Sequence, residues 1–198
     1  MDSTIVVFKS KYGTAEKYAR WIGEELGCPV KSIDEIRARD LEPYENIIYG
    51  GGVHAGGIEG FDVFRKWIKP ILKDAYYDSF DIEVNFKPEY YKPSKKIVCF
   101  AVGINLQNFE ARAELRKVNF DKKWLRPLTC YYLDGKYEPE RVQGADKLVM
   151  RFTTKLLNDK GLNMTADERL LLERIEKGCD LIDRNQIMPI VEEFRAQE

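Results

Sequence analysis

The chain opens with a short strand, a turn and a helix in immediate succession, and this order restricts its possible folds more than any other feature. Thr4-Ile5-Val6-Val7-Phe8 is a β-branched apolar run without alternation, the pattern of a strand covered on both faces. Lys9-Ser10-Lys11-Tyr12-Gly13-Thr14 reads as a turn. Ala15, Tyr18, Ala19, Ile22 and Leu26 then recur at helical spacing, and Gly27 supplies a stop. A strand covered on both faces that feeds straight into a helix calls for parallel neighbours and a helical layer on each side.

The pattern repeats. Residues 30–33 predict a second strand, and residues 46–49 a third, ending in Gly50-Gly51-Gly52. Phe61, Phe64, Trp67, Ile68, Ile71 and Leu72 trace one face of a second helix. Residues 97–102 predict a fourth strand closed by Gly103, residues 109–117 a charged helix, and residues 128–133 a fifth strand closed by Asp134-Gly135. The expected architecture is α/β, a doubly wound five-stranded parallel sheet in the order 2-1-3-4-5, with helices on both faces. Extra helices are expected at 145–157, 165–177 and 188–195, covering the sheet. A single domain over residues 1–198 is expected, since no low-complexity linker interrupts the chain. Residues 74–96 are long for a connection and read as an ordered surface excursion near the site. Its aromatics, Tyr76, Tyr77, Phe80, Phe86, Tyr90 and Tyr91, are expected to pin it to the body. Lys92, Lys95 and Lys96 are expected to be solvated.

Composition narrows the function classes. With a net charge of -1 the chain has no global pull toward nucleic acid or an anionic membrane. Met1-Asp2-Ser3-Thr4 lacks the basic-then-apolar start of a secretion signal. The longest nearly apolar run, residues 97–106, is too short to span a bilayer as a helix. Cys28, Cys99, Cys130 and Cys179 show no C-x-x-C pair and His54 is the sole histidine, so no metal site is expected. Reduced thiols in a cytoplasmic protein are the expectation. No Ser-His-Asp set, Cys-His set or carboxylate couple can be nominated as catalytic.

In such a sheet, ligands bind beyond the carboxyl ends of the strands. Three loops lie there. In the first, Ser10, Lys11, Tyr12, Gly13, Thr14 and Ala15 combine hydroxyl donors, a glycine that permits close backbone approach, and a helix N-terminus that favours an anion. The spacing fits neither a triphosphate loop nor a three-glycine dinucleotide loop, which leaves a monophosphate or a plain helix-capping turn. In the second, Gly51, Gly52, Val53, His54, Ala55, Gly56 and Gly57 form either a surface for a planar ring or a floppy loop. In the third, Val102, Gly103, Ile104 and Asn105 offer amides to a ring edge or make an ordinary strand-to-helix turn.

The string Ile5-Val6-Val7-Phe8-Lys9-Ser10-Lys11-Tyr12-Gly13-Thr14 resembles the start of a flavodoxin domain. The resemblance implies FMN, with its phosphate in the first loop. Ser10, Tyr12 and Gly13 match the family's loop, whereas Ala15 stands where a threonine is usual. Residues 46–56 resemble the second flavin loop, with Gly56-Gly57 as a turn that flips with redox state. His54 in this loop is either simply solvated or stacks near the ring and tunes its protonation. Trp124, Pro127 and Leu133-Asp134-Gly135-Lys136-Tyr137 resemble the subgroup that contains menaquinone-dependent protoporphyrinogen oxidase. Three functions follow from the resemblance. One is electron transfer to a redox partner protein. Another is FMN-dependent oxidoreduction of a small molecule, such as a quinone or porphyrinogen. The third is an interaction module that has lost its flavin.

Overall fold

The computed structural model describes residues 3–79 and 93–195. Five parallel strands form the sheet: β1 (Thr4–Lys9), β2 (Val30–Ser32), β3 (Asn46–His54), β5 (Lys96–Gly103) and β6 (Thr129–Asp134). Their spatial order is β2-β1-β3-β5-β6, the expected 2-1-3-4-5 once the two-residue β4 (Gly57–Ile58) is passed over. That short strand folds back antiparallel on the end of β3, pairing His54 with Gly57 and Val53 with Ile58.

Alternation along each strand serves two cores. Ile5, Val7, Ile47, Tyr49, Cys99 and Ala101 face α2 (Phe61–Asp78) and α3 (Phe109–Asn119) through Phe64, Ile68, Leu72 and Leu115. Val6, Phe8, Ile48, Val98, Phe100 and Val102 face α1 (Thr14–Leu26) and α6 (Met188–Arg195) through Tyr18, Ile22, Ile190 and Phe194. Strands buried on both sides need the unbroken apolar runs seen in the sequence. The helix α6 and the turn before it are further tied to α1 by Arg195 and Arg184, which donate to the Glu25 carboxylate.

Several expectations are corrected. The third strand does not end at the glycines but runs through Gly50, Gly51 and Gly52 to His54. A Cβ on Gly50 would stand 1.8 Å from Cζ of Phe100, so that glycine makes room for a ring on the neighbouring strand. Residues 74–78 belong to α2, where Tyr76 is buried and Tyr77 exposed. Phe80, Phe86, Tyr90, Tyr91 and Lys92 lie outside the described residues. Lys95 and Lys96 are not simply solvated. Lys95 Nζ donates to the carbonyls of Glu42 and Tyr44, and Lys96 Nζ donates to that of Glu193 at 2.7 Å.

Of the three C-terminal helices, only α6 covers the sheet. The other two, α4 (Gly144–Lys160) and α5 (Ala166–Lys177), pack on each other and each buries a single side chain, Leu157 and Ile175. A capping box between Thr165 and Glu168 starts α5. The pair is joined to the body at the carboxyl end of the sheet. Asp167 accepts from Asn108 at 2.7 Å, and Arg174 donates to the carbonyl of Ile104. A two-residue ladder joins β7 (Lys136–Tyr137) to β8 (Cys179–Asp180). No helix among the described residues is long and apolar enough to cross a membrane.

Candidate functional site

The carboxyl ends of β1, β3 and β5 converge on one cleft that is open to solvent. Ser10, Lys11, Tyr12, Thr14 and Ala15 line it from the first loop, Gly52, Val53, His54 and Ala55 from the second, and Val102, Gly103 and Ile104 from the third. The other expected residues, Gly13, Gly51, Gly56, Gly57 and Asn105, lie outside the lining.

The first loop ends in the amino terminus of α1. Gly13 is the cap, at φ 88, and among the described residues no side chain caps the first turn. The N–H groups of Thr14, Ala15 and Glu16 precede the first intrahelical bond, made by Lys17 to Gly13 at 3.0 Å. A Cβ at Gly13 would meet nothing within 4 Å. The glycine is needed there for its left-handed backbone rather than for close approach. Ala15 is buried, its methyl part of the core under the helix.

Two carboxylates reach this loop. Glu59 Oε2 accepts from the backbone N–H of Lys11 at 2.9 Å. Asp146, in the first turn of α4, accepts from Lys11 Nζ at 2.6 Å and from the Tyr12 hydroxyl at 2.7 Å. His54 stands between them, with Nε2 3.5 Å from Glu59 and Nδ1 3.6 Å from Asp146. Its ring lies 5.5 Å from that of Tyr12. Burial works against the charge on Asp146, but hydrogen bonds from Lys11 and Tyr12, with His54 nearby, outweigh it and hold the carboxyl below its ordinary range. The same contact raises Lys11. Tyr12 is raised by burial first and then by Asp146. Among the described residues, no group of three or more His, Cys, Asp or Glu side chains is arranged to hold a metal ion.

The second loop is a two-residue hairpin. Ala55 at φ 49 and Gly56 at φ 79 form its turn, both positive as a type I′ hairpin requires. Asn119 at the end of α3 holds this turn from below.

Residues 5–85 match the family model described as a flavodoxin domain. Together with the parallel order β2-β1-β3-β5-β6 and a helical layer on each face, this decides the architecture. The fold is flavodoxin-like. Among solved structures, a flavodoxin, WrbA-like protein from Agrobacterium tumefaciens is 16% identical, with a TM-score of 0.40 over 61% of this chain and 70% of that one. A flavodoxin from the domain Archaea is 15% identical, with a TM-score of 0.38 over 88% and 96%. Rubredoxin oxygen:oxidoreductase from Desulfovibrio gigas is 15% identical, with a TM-score of 0.35 over 92% of this chain and 35% of that one. A search of curated proteins returns no match.

In this flavodoxin-like frame, the first loop suits a phosphate. A carboxylate oxygen of Glu59 already rests on one of its amides, and the α1 amino terminus carries no side-chain cap. Both mark donors oriented for an anion. The walls suit a flat ring, since Val53, Ala55, Val102, Ile104, Tyr137, Val142 and Met150 are apolar or aromatic. Sequence reasoning missed Glu59, Gly135, Lys136, Tyr137, Val142, Asp146, Val149 and Met150, which complete the lining. Glu59 could have been noticed as the acidic residue of the second loop. For Asp146, which lies 135 residues from its partner Lys11, no local signal exists.

Proposed function

We propose that this chain binds FMN in the cleft and works as a redox protein. The observation that carries this reading is the convergence of three loops, one of them an uncapped helix N-terminus, at the carboxyl edge of a flavodoxin-like sheet. FMN, when bound, supplies one- and two-electron chemistry. The chain's part is to bind and orient it. Ser10 and Thr14 hydroxyls and the first amides of α1 would take the phosphate, with Lys11 released from Asp146 to neutralise it. The ring would lie among Val53, His54, Ala55 and the segment from Val102 to Ile104. Asn105, Gly51, Gly56 and Gly57, which the resemblance also implicates, would support these segments from outside the lining.

Titrating the purified protein with FMN and following quenching of flavin fluorescence tests the reading. Saturable one-to-one binding that weakens on Gly13→Val supports it, because valine resists the left-handed φ of 88 on which the loop depends. Absence of saturable binding would leave an interaction module without flavin, with Glu59 and Asp146 as permanent occupants of the loop's donors.

Within this reading, we favour reduction or oxidation of a small molecule, such as a quinone, over docking of a protein carrier. The specific observation is the added wall. Lys136, Tyr137, Val142, Val149 and Met150 add a wall to the cleft, and Lys136, Tyr137 and Val142 stand beside Tyr12 and Thr14 of the first loop. A flavin edge behind such a wall is reached more readily by a small acceptor than by a protein surface. Reduction of a soluble quinone by the FMN-loaded protein tests this choice. The four cysteines are unbonded to one another, which agrees with a proposed cytoplasmic site.

A further inference from the structure

The outward side of α4 carries Leu148, Phe152 and Leu156 on successive turns, 66%, 62% and 50% exposed. Leu162, just past the end of the helix, is 99% exposed. A helix of a globular protein ordinarily turns such a stripe toward the core, yet α4 buries only Leu157. Lys147, Arg151 and Lys155 run beside the stripe at the same four-residue spacing. All three are exposed, and none pairs with a carboxylate among the described residues. Asp159 is the acidic residue of the last turn of α4, and Glu176 of α5 lines one groove with the three cations.

An apolar row edged by unpaired cations has the composition of a helix that lies in a membrane interface. Charge disfavours an antiparallel second copy as the occupant, because that pairing would set the two rows of cations along the same edge. A spanning helix is not the alternative, since none among the described residues is long and apolar enough. We infer that α4 docks this protein on an anionic phospholipid bilayer, with Leu148, Phe152 and Leu156 in the headgroup boundary and Lys147, Arg151 and Lys155 on the phosphates. The inward side of the same helix supplies Asp146, Val149 and Met150 to the cleft. Docking therefore holds the cleft beside the headgroups. A lipid-soluble acceptor would meet the redox site there. That consequence rests on the reading above, whereas the docking surface does not.

Flotation of the full chain with vesicles tests the docking without any flavin, so its failure and that of the FMN titration are distinguishable. Vesicles of equal parts phosphatidylglycerol and phosphatidylcholine are compared with phosphatidylcholine alone. Each cation near an anionic surface contributes roughly a factor of five. The expected result is binding to the anionic vesicles about a hundredfold tighter than to neutral ones. Replacing Lys147, Arg151 and Lys155 together by Gln should erase that preference. Leu148→Glu with Phe152→Glu should abolish binding while leaving the far-ultraviolet spectrum unchanged. A wild-type chain that stays in solution with anionic vesicles at about 0.1 M salt overturns the inference. So does a concentration-dependent dimer in sedimentation velocity that Phe152→Glu dissolves, because α4 would then be the seam between two copies.

Discussion

Asn119 clamps Gly56: its Nδ2 donates to the Gly56 carbonyl at 2.8 Å, while its Oδ1 accepts from the Ile58 N–H at 2.8 Å. A third bond, Nδ2 to the carbonyl of Leu115 at 2.7 Å, anchors the amide to its own helix. One buried side chain thus satisfies a carbonyl in the hairpin turn of the second loop and an N–H on the strand that follows it. A redox-linked flip of the Gly56-Gly57 peptide, implied by the resemblance to flavodoxins, would have to break the bond to Asn119. Asn119→Ala is expected to cost about 3 kcal/mol, because it strands buried partners. Denaturant unfolding measures the loss, and hydrogen exchange should show the Ile58 amide opening faster. Asn119→Asp keeps the acceptor for Ile58 but sets a carboxylate oxygen against the carbonyls of Gly56 and Leu115, so it is expected to lose at least as much.

Ala55 occupies the left-handed region at φ 49, where an alanine costs roughly 1–2 kcal/mol. Asparagine tolerates that region and is the preferred residue ahead of glycine in a type I′ turn. Ala55→Asn is therefore expected to stabilise the protein by about 1 kcal/mol, raising Tm by about 2–4 °C for a chain of this size. Calorimetry checks it. An unchanged or lowered Tm would mean that the alanine is not under strain.

Glu59 sits on the amide that an incoming phosphate would use. Glu59→Gln removes a competing and repelling charge and is expected to tighten FMN about tenfold, or ~1.4 kcal/mol, as read by fluorescence titration. Asp146→Asn should act in the same direction by releasing Lys11 and Tyr12.

The pH dependence of the Asp146 contact follows from the directions of the shifts. Asp146 lies below its ordinary 3.8, so its hold is complete above that value and fades only as the pH falls through the lowered midpoint. Lys11 lies above its ordinary 10.5, so its half of the contact is present below that value and is lost as the pH rises through the raised midpoint. The contact is thus expected to be constant from about pH 5 to about pH 9. Carboxyl chemical shifts followed by NMR should show Asp146 titrating below 3.8 in the wild type and moving up in Lys11→Met.

The thiols should be slow to react. Burial pushes Cys28 from 9.0 up to about 11 and Cys130 up to about 12, and holds Cys99 well above its ordinary value. At pH 8 the thiolate population at Cys28 is then about a hundredfold below that of an ordinary thiol. Iodoacetamide labelling followed by mass spectrometry should find Cys28, Cys99 and Cys130 nearly unmodified in the native protein and all four labelled in denaturant.

The sheet was legible because its signal is local. Residues 4–8 and 97–102 are apolar without a break, and that alone demands cover on both faces. The helix at 188–195 could be read from its periodicity and from Pro189 in the first turn. What escaped was non-local or disguised. The β3–β4 hairpin turns on Ala55-Gly56 rather than Asn-Gly, so its turn signal was absent. The triple glycine looked like a strand end because a sequence does not show the Phe100 ring that makes Gly50 necessary. The periodicity of α4 was plain, but which side of it faced the body was not. Its Asp146 reached the site only through tertiary packing.

The layer that α6 completes is shared between the two ends of the chain. Tyr18 and Ile22 belong to the first helix, Ile190 and Phe194 to the last, and all four lie over the same strands. While the protein is being synthesised, β1, β3 and β5 leave the ribosome long before residues 188–195 do. Until those residues arrive, Val98 and Phe100 are covered on that face by α1 alone and lack Ile190 and Phe194. The nascent domain therefore passes through an interval in which one face of a finished sheet is sticky, and it is in that interval that a chaperone has most to do.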